Sequence, residues 1–244
     1  MEFKKFSLDN RQKVEEFEIH LKHYMVNKTR GSVNIFLVKA FDVFQNIQDI
    51  QYRNRLFSAF LDITINYVLL YCDQSIIGDI HNKYFIQEES RQKNILDSQI
   101  IFTAKMDTHQ AYSCFILRYR ALWDKLMGFL VLLFKPNEYE RFTKAKSRKN
   151  CFIKIAKEIN CISEIFLLQI ENILKDVDEK FRTQEAHGTG SLRNYTFSTI
   201  STDYSDNDYQ ARILLFHWNS INSFIGNEMN NLLEHIQQNQ NFFN

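Results

Sequence analysis

One arginine and one histidine, close together in the sequence, have side chains that could cleave RNA without a metal. Arg182 and His187 stand five positions apart in the stretch KFRTQEAHGTGSLRNYTF. An imidazole titrates near neutral pH and can accept or donate a proton, and a guanidinium offers a bidentate fork for phosphate oxygens. Attack of a ribose 2′-hydroxyl on its own phosphate uses both functions. Arg182 and His187 are therefore the candidate catalytic residues.

A second Arg–His pair in the chain has the same spacing, and the surrounding sequence distinguishes the two pairs. Arg212 and His217 are also five positions apart. His217 lies in an apolar helical stretch beside Trp218, where a packed imidazole is the simplest interpretation. Arg182 and His187 instead precede a segment rich in Gly, Thr and Ser, at a predicted helix end. The second context suits a site that a substrate can reach.

The side chains of Arg182 and His187 also have a structural interpretation, which stays open here. Asp178 and Glu185 stand four residues before and three residues after Arg182. Ion pairs at such spacings stabilise a helix by about 0.3–0.5 kcal/mol. A protonated His187 at a helix C-terminus would interact favourably with the helix dipole, by ~0.3–1 kcal/mol. Neither contribution requires a substrate.

The stretch from Arg182 to His187 resembles the Arg-x(4–6)-His signature of the HEPN superfamily, whose members are helical bundles and often ribonucleases. The resemblance covers about the C-terminal half of the chain, from Asp107 onward. It implies a metal-independent endoribonuclease in which two chains pair and their motifs share one cleft, and a role as a toxin or defence effector. Thr183 follows the arginine where active members usually carry Asn, Asp or His, and Thr189 stands where members regulated by nucleotidylation carry Tyr.

Six further cations are candidate RNA contacts. Four belong to a basic run over residues 141–157 that Glu158 opposes, and a phosphate track of this kind would make binding depend on salt. A solvated helix face is the alternative. Arg120 can equally pair with Asp124 on its own helix, and Arg193 can be a solvated loop charge. The six candidates are Lys144, Lys146, Arg148, Lys149, Arg193 and Arg120.

The composition predicts an all-α fold. The chain has 244 residues, of which 45% are hydrophobic, so it can bury a core without a disulfide or a metal. It has one Pro and six Gly, whereas sandwiches and barrels need many tight turns that draw on both residues. We therefore expect a helix content of roughly 60% or more, with negligible sheet.

Charge, cysteine pattern and hydropathy exclude several classes of protein. The net charge of +1 restricts any nucleic-acid surface to a local patch. The four cysteines form no CxxC and no Cys/His cluster at zinc spacing, so we expect reduced thiols and neither a metal nor another cofactor. The N-terminus is too charged for a signal peptide, and the longest apolar run, residues 127–134, is far shorter than the ~20 residues of a membrane span. We expect a cytoplasmic protein with no membrane partner.

Apolar residues that recur at three and four positions place the helices in the first half of the chain. We expect three helices before Tyr71, then a loop and subdomain boundary over residues 78–91. A further helix is expected to restart at Asp107, where Asp-Thr-His-Gln resembles a capping box. That helix carries a continuous apolar stripe from Tyr112 to Leu133 and should end at Lys135 and Pro136.

The second half of the chain predicts three more helical segments. Asn137 with Glu140 predicts the cap of a short basic helix. The apolar stripe over residues 152–181 predicts one long helix or two nearly coaxial ones, and a last helix is expected to follow Asp206. The predicted domains are an N-terminal helical extension, residues 1–92, and an HEPN-like helical bundle, residues 93–244.

Three hypotheses for the function follow. The first is an endoribonuclease that acts on RNA as a homodimer, with the helices over residues 152–187 of two chains paired. The alternative is a non-catalytic helical module that binds a protein partner, such as an antitoxin. The third is a bundle that binds a small ligand in an apolar pocket lined by Tyr119, Trp123 and Tyr195, although such aromatic stripes more often form plain core.

Overall fold

The computed structural model describes residues 9–81, 98–159, 164–179 and 215–239, and these residues are almost entirely helical. About 87% of them are in helices and none is in a strand. The all-α prediction is confirmed. It succeeded because the scarcity of Pro and Gly leaves little material for the tight turns that connect strands.

Eight helices lie within the described residues. In chain order they are α1 (Arg11–Thr29), α2 (Leu37–Phe44), α3 (Ile50–His81), α4 (Ser98–Phe134), α5 (Tyr139–Lys144), α6 (Arg148–Ala156) and α7 (Glu164–Val177). The last helix, α8, is described from residue 215, becomes π-helical at Phe224–Met229 and ends with the α-helical Asn230–Gln238.

The chain divides into two compact units. Unit 1 comprises Met1–Val68 with Ser220–Asn244, and unit 2 comprises Leu69–Asn219. The division falls within α3 and within α8. The predicted domain boundary between residues 92 and 93 lies outside the described residues.

Unit 1 is built on the contact between α1 and α2. The Asn10 side chain caps α1 by accepting a hydrogen bond from the Lys13 backbone N–H at 3.0 Å. Glu18 on α1 accepts a hydrogen bond from the Val38 backbone N–H at 3.0 Å and so satisfies a donor in the first turn of α2. The apolar core includes Val14, Met25, Leu37, Ala40, Phe44, Leu56 and Phe60.

Unit 2 is built on the C-terminal half of α4. The predicted apolar stripe is confirmed, since all seven of its residues are buried: Tyr112, Phe115, Tyr119, Leu122, Leu126, Phe129 and Leu133. The helices α5, α6 and α7 pack against α4. Gly128 permits a close approach, because a Cβ atom there would lie 3.2 Å from Cε1 of Phe142 on α5.

Two predictions in the first half of the chain were wrong. The loop predicted over residues 78–91 does not begin at Gly78, because α3 continues to His81, and residues 82–91 lie outside the described part. The chain does not restart at Asp107, because α4 is continuous from Ser98. Thr and Asp inside a helix cost well under about 1 kcal/mol each relative to Ala, so a capping-type sequence does not by itself interrupt a helix. The predicted end at Lys135 and Pro136 is confirmed.

The capping prediction for the short basic helix was also wrong. Pro136–Glu138 forms a 3-10 turn, and α5 begins at Tyr139 without a side-chain cap. The basic helix itself is confirmed. Asn137 lies inside the turn, so it does not occupy the cap position that its spacing to Glu140 predicted.

The stripe over residues 152–181 is not one continuous helix. The helix α6 begins at Arg148 and ends at Ala156, and α7 begins at Glu164. Ile159 between them is still buried, which kept the apolar period intact across the break. In α8, Ile225, Met229 and Leu233 are buried at a spacing of four residues, and Leu232 is half-buried.

One described helix has the length and composition to cross a membrane. It spans Ile50–Asp79, and half of its most apolar window is buried within the protein. A long core helix of a soluble protein has the same properties. The cytoplasmic location therefore stays a prediction.

Candidate functional site

Along the chain, α7 is the last described helix before the candidate catalytic residues. The described chain reaches Glu179, and Arg182 and His187 lie outside the described residues, as does Arg193. The helix changes from α-helical to π-helical at Asp178 and Glu179, and such wide turns are frequent at functional sites. The end of α7 is thus the closest described structure, along the chain, to the predicted catalytic pair.

Arg120 on α4 donates a hydrogen bond to Asp178, the residue that follows Val177 of α7. Its Nε donates a hydrogen bond to Asp178 Oδ1 at 3.1 Å, and its Nη1 contacts Asp124 on its own helix. The Arg120 side chain is 9% exposed, whereas the two carboxylates are 23% and 26% exposed. The sequence offered Arg120 both as an RNA contact and as the partner of Asp124, and the structure places its guanidinium between two carboxylates and away from solvent.

His217 on α8 approaches the same helix end. Its Nε2 lies 3.3 Å from Asp176 Oδ2 on α7, a contact that is an ion pair when the imidazole is protonated. The His217 side chain is 1% exposed, and its ring lies 5.3 Å from that of Tyr119 on α4. The packed imidazole predicted from the apolar context of His217 is confirmed. Its partner Arg212 lies outside the described residues.

The aromatic residues beside His217 belong to the core of unit 2. Tyr119 and Trp123 are 1% and 2% exposed, and their rings meet edge to face at 6.3 Å. Burial raises the pKa of the Tyr119 hydroxyl well above its usual value, and the charge of Asp176 adds to the shift. Tyr195, the third residue of the predicted ligand pocket, lies outside the described residues.

The exposed cations of unit 2 gather at the start of α6. Lys146 and Arg148 are exposed and Lys149 is half-exposed, and none of the three has an ion-pair partner among the described residues. Ser147 caps the helix by accepting a hydrogen bond from the Asn150 backbone N–H at 3.4 Å, and the first turn carries no acidic residue. Cations are unfavourable near a helix N-terminus, where anions are favoured. This turn therefore combines free positive charge with a helix end that attracts anions.

The rest of the basic run is more strongly opposed than its sequence predicted. Lys144 contacts Glu140, and Arg141 pairs with Glu138 at 2.9 Å, which raises the pKa of Arg141. Glu158 pairs with Lys135 at 3.9 Å. The i,i+3 and i,i+4 spacings of Arg141 and Lys144 to these acids could have revealed both pairs.

Sequence reasoning missed two contacts that join distant helices. The buried His217 contacts Asp176 and the buried Arg120 donates to Asp178, across 41 and 58 positions of the chain. No local spacing rule connects residues so far apart. Among the described residues, no group of three or more His, Cys, Asp and Glu side chains is placed to hold a metal ion.

Unit 1 contains an open cleft of about 330 Å³ between α1, α2 and α8. Its charged side chains contact one another or the backbone. Arg11 Nε lies 3.1 Å from Asp42 Oδ1, Lys39 donates to Glu234 at 2.8 Å, and Glu18 accepts from the backbone of α2. These charges are already compensated within the unit, so the cleft offers no charge to select a ligand.

Comparison of the chain with models of protein families, with curated proteins and with solved structures gave no match.

Proposed function

We propose that the chain is a metal-independent endoribonuclease of the HEPN type that acts in the cytoplasm. In this proposal the His187 imidazole accepts the proton of the attacking 2′-hydroxyl or, as the imidazolium, donates a proton to the leaving 5′-oxygen as its bond to phosphorus breaks. The Arg182 guanidinium binds the phosphate oxygens through its bidentate fork. Residues five apart on an α-helix differ by about 140° in direction, so we propose a homodimer in which each chain supplies one motif.

The free cations at the start of α6 carry the RNA-binding part of the proposal. Lys146, Arg148 and Lys149 have no described carboxylate to neutralise them, and the helix N-terminus beside them favours an anion. A net charge of +1 for the whole chain means that such a patch must be local, as it is here. A phosphate backbone matches its charge without requiring a base-specific contact.

The proposed cleavage step predicts which ends the RNA products carry and how much the rate falls when His187 is replaced. The purified chain should cut single-stranded RNA in the presence of EDTA and leave a 2′,3′-cyclic phosphate or a 3′-phosphate end. His187→Ala should lower the rate by about 10²-fold or more, the scale for removing a general acid–base group. Gel analysis of labelled RNA measures the rate, and liquid chromatography with mass spectrometry identifies the ends.

The control for this variant is His20→Ala, which removes an exposed imidazole from α1 and should leave the rate unchanged. Arg182→Lys should also be impaired, because an ammonium keeps the charge and loses the fork. The proposed function is refuted if the wild-type dimer leaves RNA intact, or if both histidine variants cut equally well.

The binding step can be tested at two neighbouring lysines. Lys146→Ala should weaken RNA binding and reduce the slope of log affinity against log salt by about one unit or less. Lys144→Ala, on the same surface, should change the slope less, because Glu140 already compensates Lys144. Fluorescence anisotropy over a salt series measures both slopes. Equal slopes for the two variants and the wild type would contradict the proposed contact surface.

A non-catalytic interaction module is the second candidate, and one observation favours it. Ile19, Tyr24 and Val26 on α1 are 50%, 41% and 48% exposed. Large apolar side chains on one exposed helix are suited to a protein partner such as an antitoxin. This candidate replaces the first if the chain neither binds nor cuts RNA.

A further inference from the structure

We propose that the exposed side of α6 binds the phosphate backbone of a double-stranded RNA segment and distinguishes neither bases nor sugars. Five cations would make this contact and are called the α6 surface: Lys146, Arg148, Lys149, Lys154 and Lys157. The choice of RNA rests on the proposed function, and the contact itself rests on described residues alone. RNA that is cut as a single strand would then carry a double-stranded segment nearby.

The segment around α6 carries a large excess of positive charge. Residues 135–159 contain eight Lys and Arg and three Glu, a net charge of +5, while the whole chain has a net charge of +1. The other residues of the chain therefore have a net charge of −4. A polyanion that approaches this protein is attracted to the α6 segment and repelled by the net charge of the remainder.

The three carboxylates of this segment contact cations outside the α6 surface. The pairs are Glu138 with Arg141 at 2.9 Å, Glu140 with Lys144, and Glu158 with Lys135 at 3.9 Å. None of the five cations of the α6 surface has an ion-pair partner among the described residues. Four of them are exposed and Lys149 is half-exposed. Their charge is therefore available to a ligand.

The helix presents part of this charge as a row. Asn150, Lys154 and Lys157 follow one another at spacings of four and three, so they lie within about 60° of one another around an α-helix. The other side of α6 holds its four buried residues, which are Cys151, Phe152, Ile155 and Ala156. From Arg148 to Lys157 the helix rises by about 13 Å. At about 3.4 Å per phosphate along one strand, a duplex offers roughly four successive phosphates over this length.

The α6 surface lacks a side chain on which bases could stack. Phe152 is the only aromatic residue between 146 and 157, and it is 0% exposed. Proteins that bind single strands without sequence preference combine positive charge with exposed aromatic rings for stacking. A duplex keeps its bases stacked within itself, and its two strands together present one charge per about 1.7 Å of axis. Positive charge without stacking therefore favours a duplex.

Two other partners fit this surface less well. A helix that binds a membrane surface buries a broad apolar face in the lipid, whereas the apolar residues of α6 are buried in the protein apart from the half-buried Ile153. Protein interfaces are depleted in lysine, and four of the five cations are lysines. A phosphate backbone is bound by lysine and arginine alike.

Duplex binding can be measured without cleavage, because DNA has no 2′-hydroxyl to attack its phosphate. The probes are a short fluorescein-labelled DNA duplex, an RNA duplex of the same sequence, and a single strand of each. The two duplexes should bind the full chain within about 3-fold of each other, and each about 10-fold more tightly than its single strand, because the charge density of a duplex is higher. Fluorescence anisotropy gives the affinities. Single strands that bind as tightly as duplexes would overturn the proposal, and so would the absence of duplex binding at low salt.

Replacing Lys154 and Lys157 tests the row itself. The double variant Lys154→Gln/Lys157→Gln should reduce the slope of log affinity for the DNA duplex against log salt by about two units, since each lost phosphate contact removes about 0.9. Its affinity at low salt should fall by about 10-fold or more. The matched control is Lys28→Gln, which removes an exposed lysine of α1 with no ion-pair partner among the described residues and should behave as the wild type. Equal slopes for the double variant and the wild type would overturn the proposal.

These outcomes separate the α6 surface from cleavage. If the double variant binds the DNA duplex more weakly while the wild type cuts no RNA, the proposed ribonuclease fails and the α6 surface stands. If the wild type cuts RNA and the double variant binds the duplex as the wild type does, the α6 surface fails and the ribonuclease stands. Sedimentation with vesicles of phosphatidylserine and phosphatidylcholine tests the membrane alternative. A chain that sediments with these vesicles and leaves the duplex unbound would overturn the proposal in favour of a lipid surface.

Discussion

The two units of the chain differ in where they place their charges. In unit 1 the ion pairs lie at the surface: the side chains of Arg11 and Asp42 are 56% and 38% exposed, and those of Lys39 and Glu234 are 26% and 49% exposed. Unit 2 has exposed pairs as well, at Arg141 and Lys144, but its Arg120 side chain is only 9% exposed. Surface pairs contribute little to stability because water screens them, whereas a buried cation must be matched by its partners. Among the ion pairs described, the Arg120 pairs of unit 2 are therefore part of the core packing, whereas those of Arg11 and Lys39 in unit 1 lie at the surface.

The apolar cores of the two units do not differ in this way. Phe44 in unit 1 and Phe152 in unit 2 are both completely buried, and each unit rests on helices with one apolar face. The difference in charge placement thus cannot be attributed to a weaker core in unit 2.

The largest expected effect is on the free energy of unfolding when Arg120 of unit 2 or Arg11 of unit 1 is replaced. Arg120→Gln should lower the free energy of unfolding by about 3 kcal/mol, the scale for removing one partner of a buried pair. Arg11→Gln should lower it far less, as expected of an exposed pair that water screens. Urea unfolding followed by circular dichroism gives both values. Comparable losses for the two variants would show that the burial of Arg120 has no energetic consequence and would remove the distinction between the units.

The sequence was sufficient for the fold class and for much of the helix placement. The stripe on α4 was predicted correctly because its apolar period is uninterrupted from Tyr112 to Leu133. For residues 152–181 the sequence left one long helix or two open, because Ile159 continues the apolar pattern through residues that are not helical. Periodicity reports which side chains are buried, and a buried turn residue satisfies it as well as a helical one.

The candidate site was less accessible to sequence reasoning than the fold. The free cations at the start of α6 were found as a basic run, since exposure of consecutive Lys and Arg is the usual outcome. The pairing of Arg120 with Asp178 was not found, because it depends on how α4 and α7 pack. The i,i+4 spacing rule predicted Asp124 as the partner of Arg120, and that contact is present. The rule could not reveal the second partner, Asp178, because it lies on another helix.

The smallest effect expected from the comparison of the units lies in their alkaline titration. Tyr52 in unit 1 is partly buried, and burial raises its pKa to about 12, although Arg55 opposes the shift. Tyr119 in unit 2 is more deeply buried, and burial shifts its pKa further in the same direction. Two tyrosines, one in each unit, should therefore remain protonated above the pH at which an exposed tyrosine ionises, about 10.

The sign of the pH effect follows from proton linkage. A tyrosine whose pKa is higher in the folded state than in the unfolded state contributes stability that is fully present below about pH 10. That contribution is lost as the pH rises from about 10 to about 12, because the unfolded chain releases the proton first. Tyr52→Phe should therefore flatten the decline of the urea midpoint across this window, while Tyr24→Phe, which changes an exposed residue of α1, should leave the decline as it is. The difference in tyrosinate absorbance between the folded wild type and Tyr52→Phe measures the delayed titration of Tyr52, and a complete titration of the wild type near pH 10 would contradict the burial of both side chains.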